Sequence, residues 1–324
     1  MKRFFSLLLV LLTLFLSSCS VKPIESSELE RRTVGSIGDT AIAYEEFRFM
    51  ANTYKRSLAD SYGEAIFDDP NMANEYAKQI RDYVYENITF NYALLTMCRD
   101  LGLDPYETVI TEAVQAEVEK RVSSLGSLRQ YKKYLAENHL TDNVYRENIR
   151  VEIMQNELYF VCVDDLGLIE SDSDKIYDII KKDFVRTQHI YVSKNSEGAL
   201  DKINTAYDEL ESGADFWSTV LKYGEDPKLT EAGEYITRGY MSNEYEVAAY
   251  DLGINKYSEI IESENGYFIV KRLEQDPLYL MVNLNVLTER YQRYAFLNLI
   301  YDEQRRLEFV PNDYLEGLDV LNLE

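Results

Sequence analysis

The sequence predicts an α+β protein that is mainly helical and contains one compact strand-and-helix unit. Three observations carry that reading. Between Phe184 and Gln275 the pattern runs strand, helix, helix, loop, helix, strand, the order of an α+β unit with a single core. Before it, from about residue 44 to residue 160, apolar residues recur at three- and four-residue spacing. After it, Asn283 to Glu308 reads as one long helix, and Leu307 to Val310 as a last strand before Pro311.

Taken in order, residues 1–18 read as a signal segment. Lys2 and Arg3 open it, and Phe4 to Phe15 is an apolar run too short to cross a bilayer. Leu16-Ser17-Ser18-Cys19 resembles the bacterial lipobox, which implies cleavage before Cys19 and lipidation of that residue. The alternative is an ordinary signal peptide whose cysteine is incidental. Acyl chains contribute about 0.8 kcal/mol per buried CH₂, so several hold a protein firmly at a membrane. Residues 19–32 are polar and form a tether.

Val34 to Ile37 is strand-like, Gly38-Asp39 is a turn signal, and the strand resumes at Ile42. Phe47, Met50, Tyr54 and Leu58 then share a helix face. Asp69-Pro70 opens a long helix, whose stripe is Ile80, Val84, Ile88, Tyr92 and Leu95, and Gly102 stops it. Further helices run from Pro105 to about Val122, from Leu128 to Leu135, from the Thr141-Asp142 cap to about Phe160, and from Ser171 to Lys182. In the later unit, a strand holding His189 precedes helices Ala199 to Glu211 and Phe216 to Tyr223. A small helix near Glu244 to Leu252 and a strand Tyr267 to Leu273 close it.

Composition excludes several functions. The formal charge of −23 over 324 residues disfavours nucleic acid, whose phosphates need basic groups. The simplest meaning of that charge is a solvated acidic surface. The sequence has two histidines and three cysteines, and no H-E-x-x-H, G-x-S-x-G or cysteine ligand cluster, so no metal site is expected. Cys98 and Cys162 lie in apolar-flanked helical stretches, as buried free thiols or as a pair. His139 ends a helix, where an exposed imidazole suits the helix dipole. His189, in an apolar strand, is either a satisfied core residue or a functional one. The 27 tyrosines offer apolar area with a polar tip, which suits amphipathic helices and loose peptide binding alike.

Several anchors in the unit at 184–275 occur together: Arg186 to Tyr191, Gly213 to Phe216, Tyr223 to Pro227, Arg238 to Met241 and Gly266 to Lys271. In this order they resemble the parvulin-type peptidyl-prolyl isomerases. Leu101-Gly102-Leu103, Gly126 to Leu135 and Leu140 to Ile149 resemble the helical chaperone domain of SurA- and PrsA-type foldases. That second resemblance implies an insertion. Residues 33–183 and 276–324 would form the chaperone part, with the parvulin-like domain at 184–275 between them.

The resemblance also implies roles. Proline isomerisation needs no cofactor; the barrier is about 18–20 kcal/mol, and a catalyst must bind the twisted amide best. His189 would orient Asp226, the polar group facing the amide, with both as catalytic residues. Met241 and Tyr245 would grip the proline ring. Phe268 stands where the family usually has a second histidine, which removes an orienting hydrogen bond and leaves a ring able to pack on proline. The 233–238 loop is short, with Glu234-Tyr235-Ile236 in place of the family pattern and a pocket aromatic missing. Weak isomerase activity is the expectation.

The function expected is a lipid-anchored extracytoplasmic foldase of a bacterial membrane, with unfolded or partly folded exported polypeptides as partners. The sequence leaves it open whether the protein is a dimer. A holdase whose parvulin-like domain only binds polypeptide is the alternative. An anchored solute-binding protein ranks last, because repeated βα units are missing.

Overall fold

The computed structural model describes residues 32–69 and 72–323. Cys19 and the signal segment lie outside them. The expected α+β class is present, mainly helical with two small antiparallel sheets among the described residues. Among the described residues no helix is long and apolar enough to cross a membrane.

Two compact units divide the chain. Of the described residues, the first contains those up to 89, 106–150 and 308–323. In it β1 (Thr33–Ile37) and β2 (Thr40–Ala43) form a hairpin, followed by α1 (Tyr44–Tyr62) and the start of α2 (Ala73–Asp100). Helices α3 (Thr108–Ser124) and α4 (Leu128–Glu137) and the first part of α5 (Asp142–Phe160) complete its helical body. The last strand, β7 (Phe309–Pro311), returns to pair antiparallel with β1, giving the order β2-β1-β7. Its approach is close: a Cβ added at Gly35 would lie 2.3 Å from the Val310 carbonyl oxygen. Phe309 stacks on Tyr85 at 4.5 Å between ring centroids. Glu45 is buried and accepts from Thr141 Oγ1 (2.6 Å) and Asn143 Nδ2 (2.8 Å), tying α1 to the start of α5.

His139 departs from the expectation. It is half-buried at a left-handed position (φ 53°), and burial and the nearby Arg48, Arg56 and Lys55 hold its pKa below the ordinary value. A cationic surrounding removes the advantage a charged imidazole has at a helix end.

The second unit contains 90–105 and 151–307. Its sheet has the order β4-β3-β6-β5, built from β3 (Val185–Ser193), β4 (Glu234–Ile236), β5 (Ile261–Glu262) and β6 (Gly266–Leu273). Strand β3 is central because its residues are buried on both faces. On one face Ile190, Val192 and Ile269 pack against α7 (Ala199–Glu211) and α8 (Phe216–Tyr223). Asp215 caps α8 by accepting from the Ser218 amide at 2.8 Å. On the other face Val185, Ile236 and Val270 pack against Tyr245 and Ala249 of α9 (Asn243–Asp251). Helix α6 (Ser173–Asp183) leads into β3. After β6 come a short α10 (Pro277–Val282), capped by Asp276, and α11 (Leu284–Gln304). The expected helix to Glu308 therefore stops at Gln304. The polar run Asp302 to Arg306 carries no apolar stripe to extend it. A short α12 (Asp313–Glu316) follows β7 in the first unit. Cys98 and Cys162 are buried free thiols, and burial pushes the Cys98 thiol up to about 12.

Candidate active site

Period-two alternation on β3 puts Thr187 and His189 on the face that meets α9. Both are buried, and Tyr245 reaches them from α9. The Tyr245 hydroxyl lies 3.1 Å from His189 Nδ1 and 2.9 Å from Thr187 Oγ1. His189 Nε2 lies 3.2 Å from Asp226 Oδ2. The hydrogen-bond directions follow from the groups themselves. A carboxylate only accepts, so Nε2–H donates to Asp226. Nδ1 of the neutral ring then accepts from Tyr245 O–H, whose oxygen accepts from Thr187 O–H. The result is one polar row, Thr187–Tyr245–His189–Asp226, crossing an otherwise apolar layer.

Burial holds His189 below its ordinary pKa of 6.5, against the opposite pull of the Asp226 carboxylate. Burial also raises the Tyr245 phenol. Both therefore stay neutral at pH 7, as the row requires. The unfolded chain binds a proton on His189 that the folded protein resists. The stabilisation from the neutral ring is therefore full above pH 6.5 and is lost as pH falls below that value. Urea unfolding of the parent and of His189→Gln across this range should show the two stabilities converging with acid. Parallel pH profiles would mean that His189 is not held neutral.

Asp226 is placed by its neighbour. Glu225 donates its amide to the Tyr191 carbonyl (2.8 Å). Its carboxylate accepts from the Ser193 amide, Ser196 Oγ and Lys202 Nζ at 2.7–2.8 Å. Burial alone would raise the Glu225 pKa, but these donors outweigh it and hold the carboxyl low. The loop is thus strapped to the end of β3. Asp226 turns half-exposed beside His189, its second oxygen accepting from the Lys228 amide at 2.8 Å.

Phe268 stands across from Tyr191 on β6. Its ring meets His189 edge-on at 5.5 Å and Tyr245 edge-on at 5.3 Å. Phe268 offers no hydrogen bond where the resemblance puts a second histidine, and Tyr245 and Asp226 use both ring nitrogens of His189. Met241 and Phe268, both half-buried, border the apolar cluster around Val270. Tyr245 has no exposed surface and supports that cluster from beneath, where sequence reading placed it in the wall. Tyr235 is also fully buried, and it packs on Ile176, Ile180, Leu280 and Leu287. It supplies no aromatic surface to the site.

Sequence reading missed Thr187, Glu225 and Glu246. Buried Glu246 gathers the amides of Gly239, Tyr240 and Met241 at 2.8–2.9 Å. The available signal was an acidic residue in the first turn of a helix just after a Gly-containing loop.

The family model for the SurA-like N-terminal domain matches residues 1–159, and that for the PPIC-type PPIase domain matches residues 184–274. Foldase protein PrsA of Clostridium perfringens is 21% identical over 216 residues, covering 65% of this chain and 61% of that protein. Foldase protein PrsA 2 of Bacillus cereus is 26% identical over 209 residues, covering 63% and 66%. The chain thus matches less than two thirds of the length of either relative. A crystal structure of PrsA from Bacillus anthracis is 23% identical, covering 69% of this chain and 96% of that one. Its TM-score of 0.34 is too low for the superposition to bear on the fold. The two family models follow one another along most of the sequence, and the second encloses the whole polar row: the chain carries a SurA-like N-terminal part followed by a PPIC-type, parvulin-like domain, and in this it is similar to the PrsA proteins.

Proposed function

We propose that the protein is a membrane-anchored extracytoplasmic foldase that assists folding of exported polypeptides and isomerises X-Pro bonds weakly. The observation that carries this is the Thr187–Tyr245–His189–Asp226 row ending on a half-exposed carboxylate beside Met241 and Phe268. A client proline ring packs on that apolar margin, with the amide carbonyl toward Asp226. The carboxylate repels the carbonyl oxygen and so weakens the double-bond character of the C–N bond, which favours the twisted form. His189 and Asp226 are the catalytic residues in this reading, and Met241, Phe268 and Tyr245 shape the proline site. A cis-to-trans assay on a peptide with one Ala-Pro bond tests it: slow but measurable catalysis is expected. Peptide binding without catalysis would favour a holdase, the reading that Phe268 in place of a second polar group supports.

The same reading keeps residues 184–275 as an inserted domain within the helical part. The antiparallel register pairs Arg186 with Leu273, and Gln275 Nε2 donates to the Lys181 carbonyl. The incoming and outgoing strands therefore lie side by side, as an insertion needs. Anchoring rests on the lipobox-like Leu16 to Cys19. Mass spectrometry of membrane-extracted protein should find an acylated N-terminal Cys19, and Cys19→Ser should release the protein to the medium. Membrane retention of Cys19→Ser would sink the lipid anchor.

A further inference from the structure

Helix α11 lies beyond residue 275, yet one stripe of it meets the segment that carries Met241. The stripe is Leu287, Arg290, Tyr291 and Tyr294, at the i, i+3, i+4, i+7 spacing of a single helix face. Leu287 and Tyr291 pack in the cluster around Tyr235. Arg290 Nη1 donates to the Tyr235 carbonyl at 2.6 Å and lies 3.6 Å from Glu234 Oε2. Its guanidinium sits 4.0 Å from the centroid of the Tyr240 ring. The Tyr294 ring lies under Gly239, where φ is +78° and an added Cβ would come within 3.2 Å of it.

We infer that Arg290 is a positioning residue for the isomerase-type site: from a helix outside residues 184–275, and with Tyr294 beside it, it fixes the 234–241 segment and hence Met241. The inference rests on the isomerase reading above. Its physical basis is that Arg290 grips both ends of the segment at once, beside the ties from Tyr250 to the Ile236 carbonyl (3.5 Å) and the Arg238 guanidinium (4.1 Å from the ring centroid) and from Tyr240 to Glu234 (3.5 Å). Strand β4 is three residues long and lies at the sheet edge, paired only to β3. Beyond it Arg238, Gly239 and Tyr240 are exposed. The Glu246 carboxylate gathers amides 239–241 but does not itself reach back to β4. Arg290 joins the two halves of the segment. It bonds the backbone of Tyr235 and covers the side chain of Tyr240, so the turn between them keeps one shape. A pocket whose wall is set in this way binds proline better without a change in the polar row. The effect therefore belongs in KM and not in kcat.

The test uses the full chain with Arg290→Ala, Arg290→Lys and Tyr294→Ala, and two readouts. One is hydrogen exchange at the amides of Gly239, Tyr240 and Met241, with β3 and β6 amides as internal controls. The other is the KM and kcat for isomerisation of a short peptide with one Ala-Pro bond. Arg290→Ala should speed exchange at the three loop amides about tenfold and raise KM about tenfold, with kcat within about twofold. The control amides should not change. Arg290→Lys should recover much of both losses, because an ammonium still donates to the Tyr235 carbonyl. Tyr294→Ala should act in the same direction without altering charge, and with Arg290→Lys it decides the matter if Arg290→Ala does not fold. Unchanged exchange at residues 239–241 in the variants that fold, or a loss of kcat with KM unchanged, overturns the inference. A parent without isomerase activity would remove the catalytic part of the proposed function. The exchange readout would still show whether Arg290 and Tyr294 hold the segment.

Discussion

Replacing Asp226 or His189 by alanine should lower kcat/KM for cis-to-trans proline isomerisation by about tenfold to a hundredfold. The two substitutions act on one row. His189→Ala leaves the Tyr245 hydroxyl, which has no exposed surface, without its acceptor, and leaves Asp226 free to turn away. A buried polar group left unpaired costs about 1–3 kcal/mol, so this variant should also lose stability. Asp226→Ala removes the carboxylate from a half-exposed position and leaves Nε2 of the buried His189 unmatched, so it should cost activity and also some stability, by the same argument. The double variant should be scarcely worse than the poorer single one, because residues acting as a unit are not additive. Phe268→His should raise activity by no more than about tenfold, since both nitrogens of His189 already have partners and a new imidazole could add only one hydrogen bond. Full activity in Asp226→Ala would show that the catalytic group lies elsewhere.

Glu246→Ala should weaken binding of an Ala-Pro peptide about tenfold or more and destabilise the second unit by about 2 kcal/mol. One carboxylate serves three consecutive amides, those of Gly239, Tyr240 and Met241. Hydrogen bonds to a charged group contribute about 1.5–3 kcal/mol in favourable cases, but Gly239 and Tyr240 are exposed and water replaces part of the loss. Glu246→Gln keeps one acceptor oxygen without the charge and should fall between the parent and the alanine variant. Chemical denaturation and a peptide titration measure the two effects. A Glu246→Ala protein with parental stability and affinity would mean that the loop holds its shape unaided.

The local pattern marks the elements that carry the candidate site, while the roles of its residues come only from the resemblance. His189 stands out in an apolar run. Asp226 follows a Gly-Glu pair at a helix end, and helices α7 and α8 carry their own stop signals at Ser212-Gly213 and Gly224. The rest depends on contacts that sequence spacing does not show. The Tyr245 bond to His189 joins residues 56 apart, and the Arg290 bond to Tyr235 joins residues 55 apart. The resemblance puts Tyr245 among the residues that grip proline; its hydroxyl decides its buried place, and a hydroxyl leaves no trace in a hydrophobic pattern. Strand β4 and helix α10 escaped because three and six residues are too few for a period to declare itself. The end of α11 was overrun for the converse reason. Charged residues at 302–306 are compatible with a helix surface, and only the turn of the chain toward β7 shows where the helix stops.

The pairing of β7 with β1 has a consequence for the order in which the chain can fold. A ribosome delivers Thr33–Ile37 long before Phe309–Pro311. Until then the β1 edge of the β1–β2 hairpin is bare, at Gly35 to Ile37, and Phe309 is not yet present to stack on Tyr85. Closing so long a loop is entropically costly and makes such pairings slow. The first unit therefore completes its sheet only after the residues of the second unit have been made, whereas the β3–β6 sheet of the second unit closes within a much shorter stretch of chain. An unpaired edge is a template for another strand. The newborn protein thus passes through an interval in which it is itself prone to aggregate, and a chain truncated just before Phe309 would remain in that interval.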